Sequence, residues 1–467
     1  MFLNKLHSIN ANSKIYYLLN SEKFSFSIIF IFYLIKIIST FVFYFNDTRV
    51  AFEISNSFGG YIESIYNGNS FKSCVFDNHF TIIKNDILDC SYSSRMPVIP
   101  YFYAFIAYFF SNQIFFLAII KNSIITVMFA AFIWIYFKID RKKFNNLYLT
   151  NISLLIIFFS PVVAKHASNV TYEEGITLEM LILWVLFFLL GLRLLKKKLL
   201  SYYNSIPIVL IFISTLLYLT KETMLFLYII SLIINLLWIK KKINYKILLS
   251  LILSLFIIFS WGVRNYKITN NFSLGSSINW MLTYYGFNDT AYKIYPEIAL
   301  DQLFFAKKFF LQDGSVVINE EDLKISFDNE WVRNKYYEDK TFSWILENPI
   351  RSVNFFFKKT YYFFISIKKT PYSIGPEVSK EYFKNKVQEI TISIWLLIGR
   401  LFTLLLIYLI FIKFKKNKLL CSSIVFLCIS YAAPYVVAFN YERHVTPFLV
   451  ITILCSSALL YKKTNYK

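Results

Sequence analysis

Apolar residues in this chain fall in long blocks separated by short basic stretches, with little alternation inside a block. Runs near 25–45, 113–138, 147–164, 175–195, 205–220, 223–238, 246–262, 391–412, 419–438 and 444–461 predict helices that cross a hydrocarbon layer of about 30 Å. Between them lie "DRKK" (140–143), "RLLKKK" (193–198), "KKK" (240–242), "KFKKNK" (413–418) and "KK" (462–463). Ten spans threaded through these runs put every basic cluster on one face, with both termini there, as expected of cytoplasmic loops. Lys5, Lys14 and Lys23 precede the first run and no small-residue cleavage site follows it, so it reads as an uncleaved first helix. The stretch 98–111 is also apolar. A separate crossing there would carry "DRKK" to the other face, so it reads as a half-buried or interfacial piece leading into the next span.

Composition agrees. Only 16% of the 467 residues are charged, well below the quarter usual in soluble domains, and 57% are hydrophobic. The net charge of +21 would suit a nucleic-acid partner, but the lysines sit beside apolar runs and serve orientation; no nucleic acid is expected. The expected fold is an all-α polytopic membrane protein. Residues 1–262 form an N-terminal transmembrane module with a first outward loop at 46–97. Residues 263–388 form a larger outward segment, and 389–467 the C-terminal helices. Within the outward segment, "NPIRSVNFFFKKTYYFFISIKK" (348–369) spaces aromatics and lysines as in a helix lying in the headgroup plane. Cys74 and Cys90 share the first loop, where an oxidising compartment could join them. Cys421, Cys428 and Cys455 lie in apolar runs.

The candidate chemistry lies on the outward pieces. Asp47 and Glu53 follow the first helix closely, and either carboxylate could take a proton from a hydroxyl. Taken singly, each also fits a solvated loop acid. Arg95 stands before Pro97 and Pro100 at the lip of an apolar stretch, where it could grip phosphate or anchor a helix end. Glu173 and Glu174 open a helix, where acids also stabilise the dipole. Glu222 beside Lys221 reads as an interfacial ion pair, and His444 as a helix-end histidine. Lys36, Lys121, Glu179 and Arg400 fall inside apolar runs and receive no catalytic role. His7, His79, His166 and His444 are scattered, no Cys–His cluster suggests a metal, and no glycine loop suggests a nucleotide.

Taken in order, these features resemble a family. An acid after the first helix, "NGNSF" (67–71) and the R-x-P-x-x-P of "RMPVIP" (95–100) are similar to the polyprenyl-phosphate-sugar glycosyltransferases of the GT-C superfamily. Those include the bacterial family-39-type enzymes, the protein O-mannosyltransferases and the lipid A aminoarabinose transferase. "SPVVAKHASNVTYEEG" (160–175), "FSWGVRNYKITNNFSLGSSINWMLTYYG" (259–286), "ENPIRSV" (347–353) and "YERHVTPFLV" (441–450) resemble further family stretches in the family's order. Val98 and Ile99 stand where the family has Gly-Tyr, and its adjacent Asp-Glu pair is absent from the first loop. Spacing back from Gly68 favours Glu53 as the family's acid, whereas the local "DTR" run favours Asp47; both stay open.

The resemblance implies a GT-C-like bundle of about 10–12 helices with interfacial helices in the first outward loop. It implies an inverting enzyme at the outer face of a bacterial inner membrane that moves a sugar from a polyprenyl-phosphate donor to a hydroxyl of a glycan, lipid or protein. Glu53 or Asp47 would be the base. Arg95, Lys221, Arg264 and Arg443 would hold the donor phosphate, and Glu173, Glu174 and Asn265 would contact acceptor or substrate. No cofactor is expected; the spare carboxylates could bind a divalent metal, although no ligand spacing argues for one. A lipid-linked sugar flippase and a surface-polysaccharide polymerase or ligase are the competing readings.

Overall fold

The computed structural model describes residues 14–460 apart from short internal stretches, the longest being 74–81, 197–204, 320–326 and 367–385. Cys74 and the basic-cluster residues Lys197, Lys198, Lys242, Lys462 and Lys463 lie outside the described residues.

The protein is all-α and polytopic. After α1 (Lys14–Leu19) comes α2 (Glu22–Tyr44), whose entry is capped by Ser21 accepting from the Phe24 amide. The first loop holds a 3-10 turn at Ala51–Glu53, α3 (Ser55–Tyr66) and the hairpin β1 (Ile82–Lys84) and β2 (Ile87–Asp89). There follow α4 (Val98–Phe109), α5 (Ile114–Lys143), α6 (Leu147–Phe158), α7 (Pro161–Ser168), α8 (Glu174–Lys196), α9 (Ser205–Thr220), α10 (Leu225–Lys241) and α11 (Tyr245–Thr269). The second large segment contains α12 (Asn279–Tyr284), α13 (Asp289–Ile294), the hairpin β3 (Lys308–Phe310) and β4 (Val316–Ile318), α14 (Glu330–Glu347) and α15 (Pro349–Phe364). The chain closes with α16 (Lys386–Lys413), α17 (Lys418–Val437) and α18 (Glu442–Leu460).

Among the described residues, eight helices are long and apolar enough to cross a membrane: α2, α5, α8, α10 with its preceding turn, α11, α16, α17 and α18. The run at 147–164 is a bent pair. Ser160 caps α7 and Pro161 occupies its first turn, so α6 ends and the axis turns by 75°. Counted as one span, this pair is a ninth. The run at 205–220 folds as α9, whose 16 residues make it about 24 Å long. The expected ten to twelve spans are thus eight or nine by length and apolarity, with α9 filling the remaining run. The 98–111 stretch forms a helix of its own: Ile99, Tyr103 and Ile106 are buried against the protein while Tyr101, Phe105 and Tyr108 are exposed.

Helix α8 is the hub. Its apolar window is wholly enclosed, against 28% for α2 and 33% for α11, so it is surrounded by protein where those two present Phe30, Val42, Leu249 and Phe256 outward. Such outward apolar side chains suit lipid, which imposes no penalty on them. Trp184 of α8 donates to Ser231 of α10 at 2.8 Å. Lys36 of α2 pairs with Glu179 of α8 at 2.5 Å and donates to Thr126 of α5. Charges buried inside the bundle in this way require such partners. At the far end of the hub, Asp140 of α5 lies 3.5 Å from Arg193.

A second, smaller core rich in aromatic residues, including Tyr284, Tyr285, Tyr295, Trp344 and Phe355, holds the 278–355 segment together. Helix α15 is two-faced. Ser352, Phe355, Lys359 and Phe363 are buried, whereas Leu346 just before it and Ile350, Val353, Phe357 and Tyr361 form an exposed apolar stripe, the pattern of an interfacial helix. Lys359 donates to the carbonyls of Gly286, Val437 and Ala438, clipping α15 to the end of α17.

Candidate functional site

The helix ends expected to face outward meet at one end of the bundle. Glu174, in the first turn of α8, pairs with Lys221 at the α9–α10 joint at 2.5 Å. His444, near the start of α18, brings Nε2 to 4.0 Å from the same carboxylate oxygen and stacks on Tyr435 of α17 with ring centroids 4.4 Å apart. Lys221 lies 5.5 Å from the Tyr435 ring, whose hydroxyl bonds Thr223 at 3.0 Å. Arg443 sits over the Tyr172 ring at 4.4 Å, and its charge reaches both Glu174 and Lys221.

Arg95 joins this cluster from the first loop. Its guanidinium lies 5.2 Å from the Phe58 ring and interacts electrostatically with Glu173, Arg443 and Glu222. Burial pushes Arg95 down from its ordinary value, opposed by Glu173, yet a guanidinium remains charged throughout the accessible range. Burial alone would also lower Lys221, but Glu174 overrides it and holds the ammonium above its ordinary value. Arg95, Glu173, Lys221, Glu222 and Arg443 are all half-buried, whereas Glu174 and His444 are enclosed. The half-buried groups therefore form a charged rim around an enclosed Glu174–His444 floor.

Local chemistry fixes each member. Glu222 accepts from the Ser276 amide at 2.7 Å and the Ser276 hydroxyl at 3.1 Å. Gly275 makes this approach feasible, since a Cβ there would stand 2.9 Å from the carboxylate. The turn before α8 is tied down by Lys121 of α5, which donates to the carbonyls of Ala167 (2.7 Å), Asn169 (2.9 Å) and Gly175 (3.2 Å). A Cβ on Gly175 would fall 1.8 Å from the Asn169 oxygen, so the turn closes only with glycine.

The "SYSSR" stretch (91–95) is hung from Glu330, a buried carboxylate at the start of α14. Glu330 accepts from the hydroxyls of Ser91 (2.7 Å), Ser93 (2.5 Å) and Ser277 (2.9 Å), and from the amides of Tyr92 and Ser93. Burial and then Glu330 push the neighbouring Tyr61 phenol up to about 12, and Tyr61 bonds Ser91 and Ser94. Sequence reasoning did not find Glu330. Its only local signal is Asn329, which caps α14 one residue earlier.

Four expected residues are engaged elsewhere. Arg264 donates to the Tyr92 and Phe71 carbonyls and lies over the Phe71 and Trp261 rings, so it clamps the first loop rather than facing the rim. Asn265 donates to the Ser273 carbonyl and accepts from Arg264. Asp47 holds Arg49 at 2.7 Å, and these hydrogen bonds keep its carboxyl below the usual range. Glu53 is exposed and accepts from the Val50 amide of its own turn.

Cys90 is disulfide-bonded, and the Ser73–Ser91 bridge brings its neighbourhood beside residue 73; the partner expected from sequence, Cys74, lies outside the described residues. Cys421, Cys428 and Cys455 are not joined in disulfides. Among the described residues no group of three or more His, Cys, Asp or Glu is placed to hold a metal. No family model matches the chain, and neither curated proteins nor solved structures give a match.

Proposed function

We propose that this protein is a membrane glycosyltransferase that moves a sugar from a polyprenyl-phosphate donor to a hydroxyl of a cell-envelope glycan, lipid or protein. One observation carries the reading. Arg95, Lys221 and Arg443 come from three distant parts of the chain and meet at one end of a polytopic bundle, beside Glu173 and Glu174. A lipid-linked phosphate sits at that depth by its own chemistry, with its tail in the hydrocarbon and its charge at the interface. The leaving group is a phosphate, so preorganised cations lower the barrier most, each by several kcal/mol in a dry site. The motif order in the sequence points the same way, and with it to a bacterial plasma membrane, cytoplasmic termini and a site on the far face.

A lipid-linked sugar flippase is the second reading. It draws on the Lys36–Glu179 pair buried within the bundle.

The test uses the full chain in nanodiscs with a long-chain polyprenyl monophosphate, the common product of any such transfer. Binding is expected for wild type and should weaken by at least about tenfold on Arg95→Ala, the loss of one charge-assisted contact. Mass spectrometry of lipid-linked sugars and surface glycans, with and without the protein, reads the reaction. A flippase would change where the donor accumulates but create no new glycosidic bond, and absence of binding would overturn both readings.

A further inference from the structure

We infer that Glu173 is the base for the incoming hydroxyl, in place of the first-loop acids; this rests on the transfer reading above. Glu173 occupies the turn between Tyr172, which lies under Arg443 at 4.4 Å, and Glu174, which pairs with Lys221 at 2.5 Å. Its charge reaches Lys221, one of the cations that would hold the donor phosphate. Its charge also reaches Arg95.

The other carboxylates nearby are partnered, Glu174 through Oε1 alone, its Oε2 being buried with no hydrogen-bond partner among the described residues. Glu174 holds Lys221, and Glu222 holds the Ser276 amide and hydroxyl. Asp47 is paired with Arg49, and Glu53 closes its own turn. The half-buried Glu173 carboxylate accepts no hydrogen bond and forms no ion pair with any described residue. A carboxylate in that condition has both oxygens available for a hydroxyl proton.

A second observation concerns Tyr103. The phenol of Tyr103 is fully buried, has no hydrogen-bond partner among the described residues, and lies within electrostatic reach of Glu173. Buried hydroxyls are rarely left unsatisfied in a resting protein. A substrate hydroxyl seated between Tyr103 and Glu173 would satisfy both. The turn is also rigid enough for the task, because Lys121 ties the carbonyls on both sides of it and Asn169 Oδ1 accepts from the Tyr172 amide at 3.2 Å.

The step balances as follows. The acceptor oxygen forms a bond to the anomeric carbon as its proton passes to Glu173. The bond from that carbon to the phosphate oxygen breaks, and its electron pair leaves on polyprenyl phosphate, against Arg95, Lys221 and Arg443.

Glu173→Gln separates this role from binding. In nanodiscs the variant should bind the long-chain polyprenyl monophosphate within about threefold of wild type, because a proton acceptor acts in the transition state. In cells lacking the native copy, transferred product should fall by at least about 100-fold, the usual contribution of a positioned base, and Glu173→Asp should restore part of it. Product from Glu173→Gln above a tenth of the wild-type level overturns the assignment. So does parallel loss of binding, which would make Glu173 a ligand contact or a structural residue. If wild type neither binds the polyprenyl monophosphate nor changes any glycan, the transfer reading itself falls and takes this role with it.

Discussion

Glu330 and Ser91 lie 239 residues apart in sequence, yet the Ser91 hydroxyl donates to the Glu330 carboxylate at 2.7 Å. The bond fastens the Arg95 loop to α14, and with it the loop after α2 to the segment after α11. Glu330→Ala leaves three hydroxyls and two amides without their acceptor. A loss of roughly 2–3 kcal/mol is expected, read as a lower melting temperature in detergent and faster proteolysis between residues 90 and 97. A variant that melts with wild type would show that the seam bears no load.

The Lys221–Glu174 pair makes a separate prediction. Lys221→Met strands an enclosed carboxylate and should cost about 3–5 kcal/mol. Combining it with Glu174→Gln should recover most of that loss, because the residual charge is gone. Thermal unfolding of both single variants and the double variant measures the coupling, and strict additivity would mean that the two groups do not interact.

At Gly175 the expected effect is steric. Alanine would drive a Cβ into the Asn169 carbonyl, and a loss of about 3 kcal/mol is expected because the turn is also pinned by Lys121. Lys121→Met should resemble it, since three carbonyls lose their donor. Unfolding curves in detergent measure both, and an alanine variant as stable as wild type would show that the turn takes another path.

Arg264 differs from Arg95 in kind. Arg264→Lys cannot fork between the Tyr92 and Phe71 carbonyls. It should cost roughly 1–2 kcal/mol of stability while weakening polyprenyl monophosphate binding less than Arg95→Ala does. The reverse order in a binding titration would return Arg264 to the phosphate.

Acid should act at the Asp47–Arg49 pair. Its carboxyl is held below the ordinary value, so its contribution is complete at neutral pH and disappears as pH falls through that lowered value. Arg49 is half exposed, so the contribution is at most about 1 kcal/mol. Comparison of wild type with Asp47→Asn across pH 2–6 measures it; equal acid sensitivity would show no pairing.

The bundle was legible because its signal is local. A continuous apolar run both forms a helix and selects lipid, so α2, α5, α8 and α16–α18 stand where the runs lie. The rim was legible for a related reason, since Arg95, Glu173, Glu174, Lys221 and Arg443 are charges at the ends of those runs. What remained hidden is pairing across the chain. Lys36 and Glu179 each stand out in an apolar run, but nothing local joins positions 143 residues apart. Glu330 sits in a polar stretch and reads as an ordinary helix-start acid. Arg264 is bound mainly by backbone carbonyls, which have no sequence signature. Pro161 announces a break without giving its angle.

Lys359 has one further consequence for traffic at the membrane. By stapling α15 to the end of α17, it makes the greasy flank of Ile350, Val353 and Phe357 a float attached to the helix whose Tyr435 packs against Lys221 and His444. The bilayer surface would then set the height of the rim as well as of the float. A lipid-tethered reactant would arrive sideways through the hydrocarbon, and a water-borne one from above, so the two could reach the same spot without sharing a doorway.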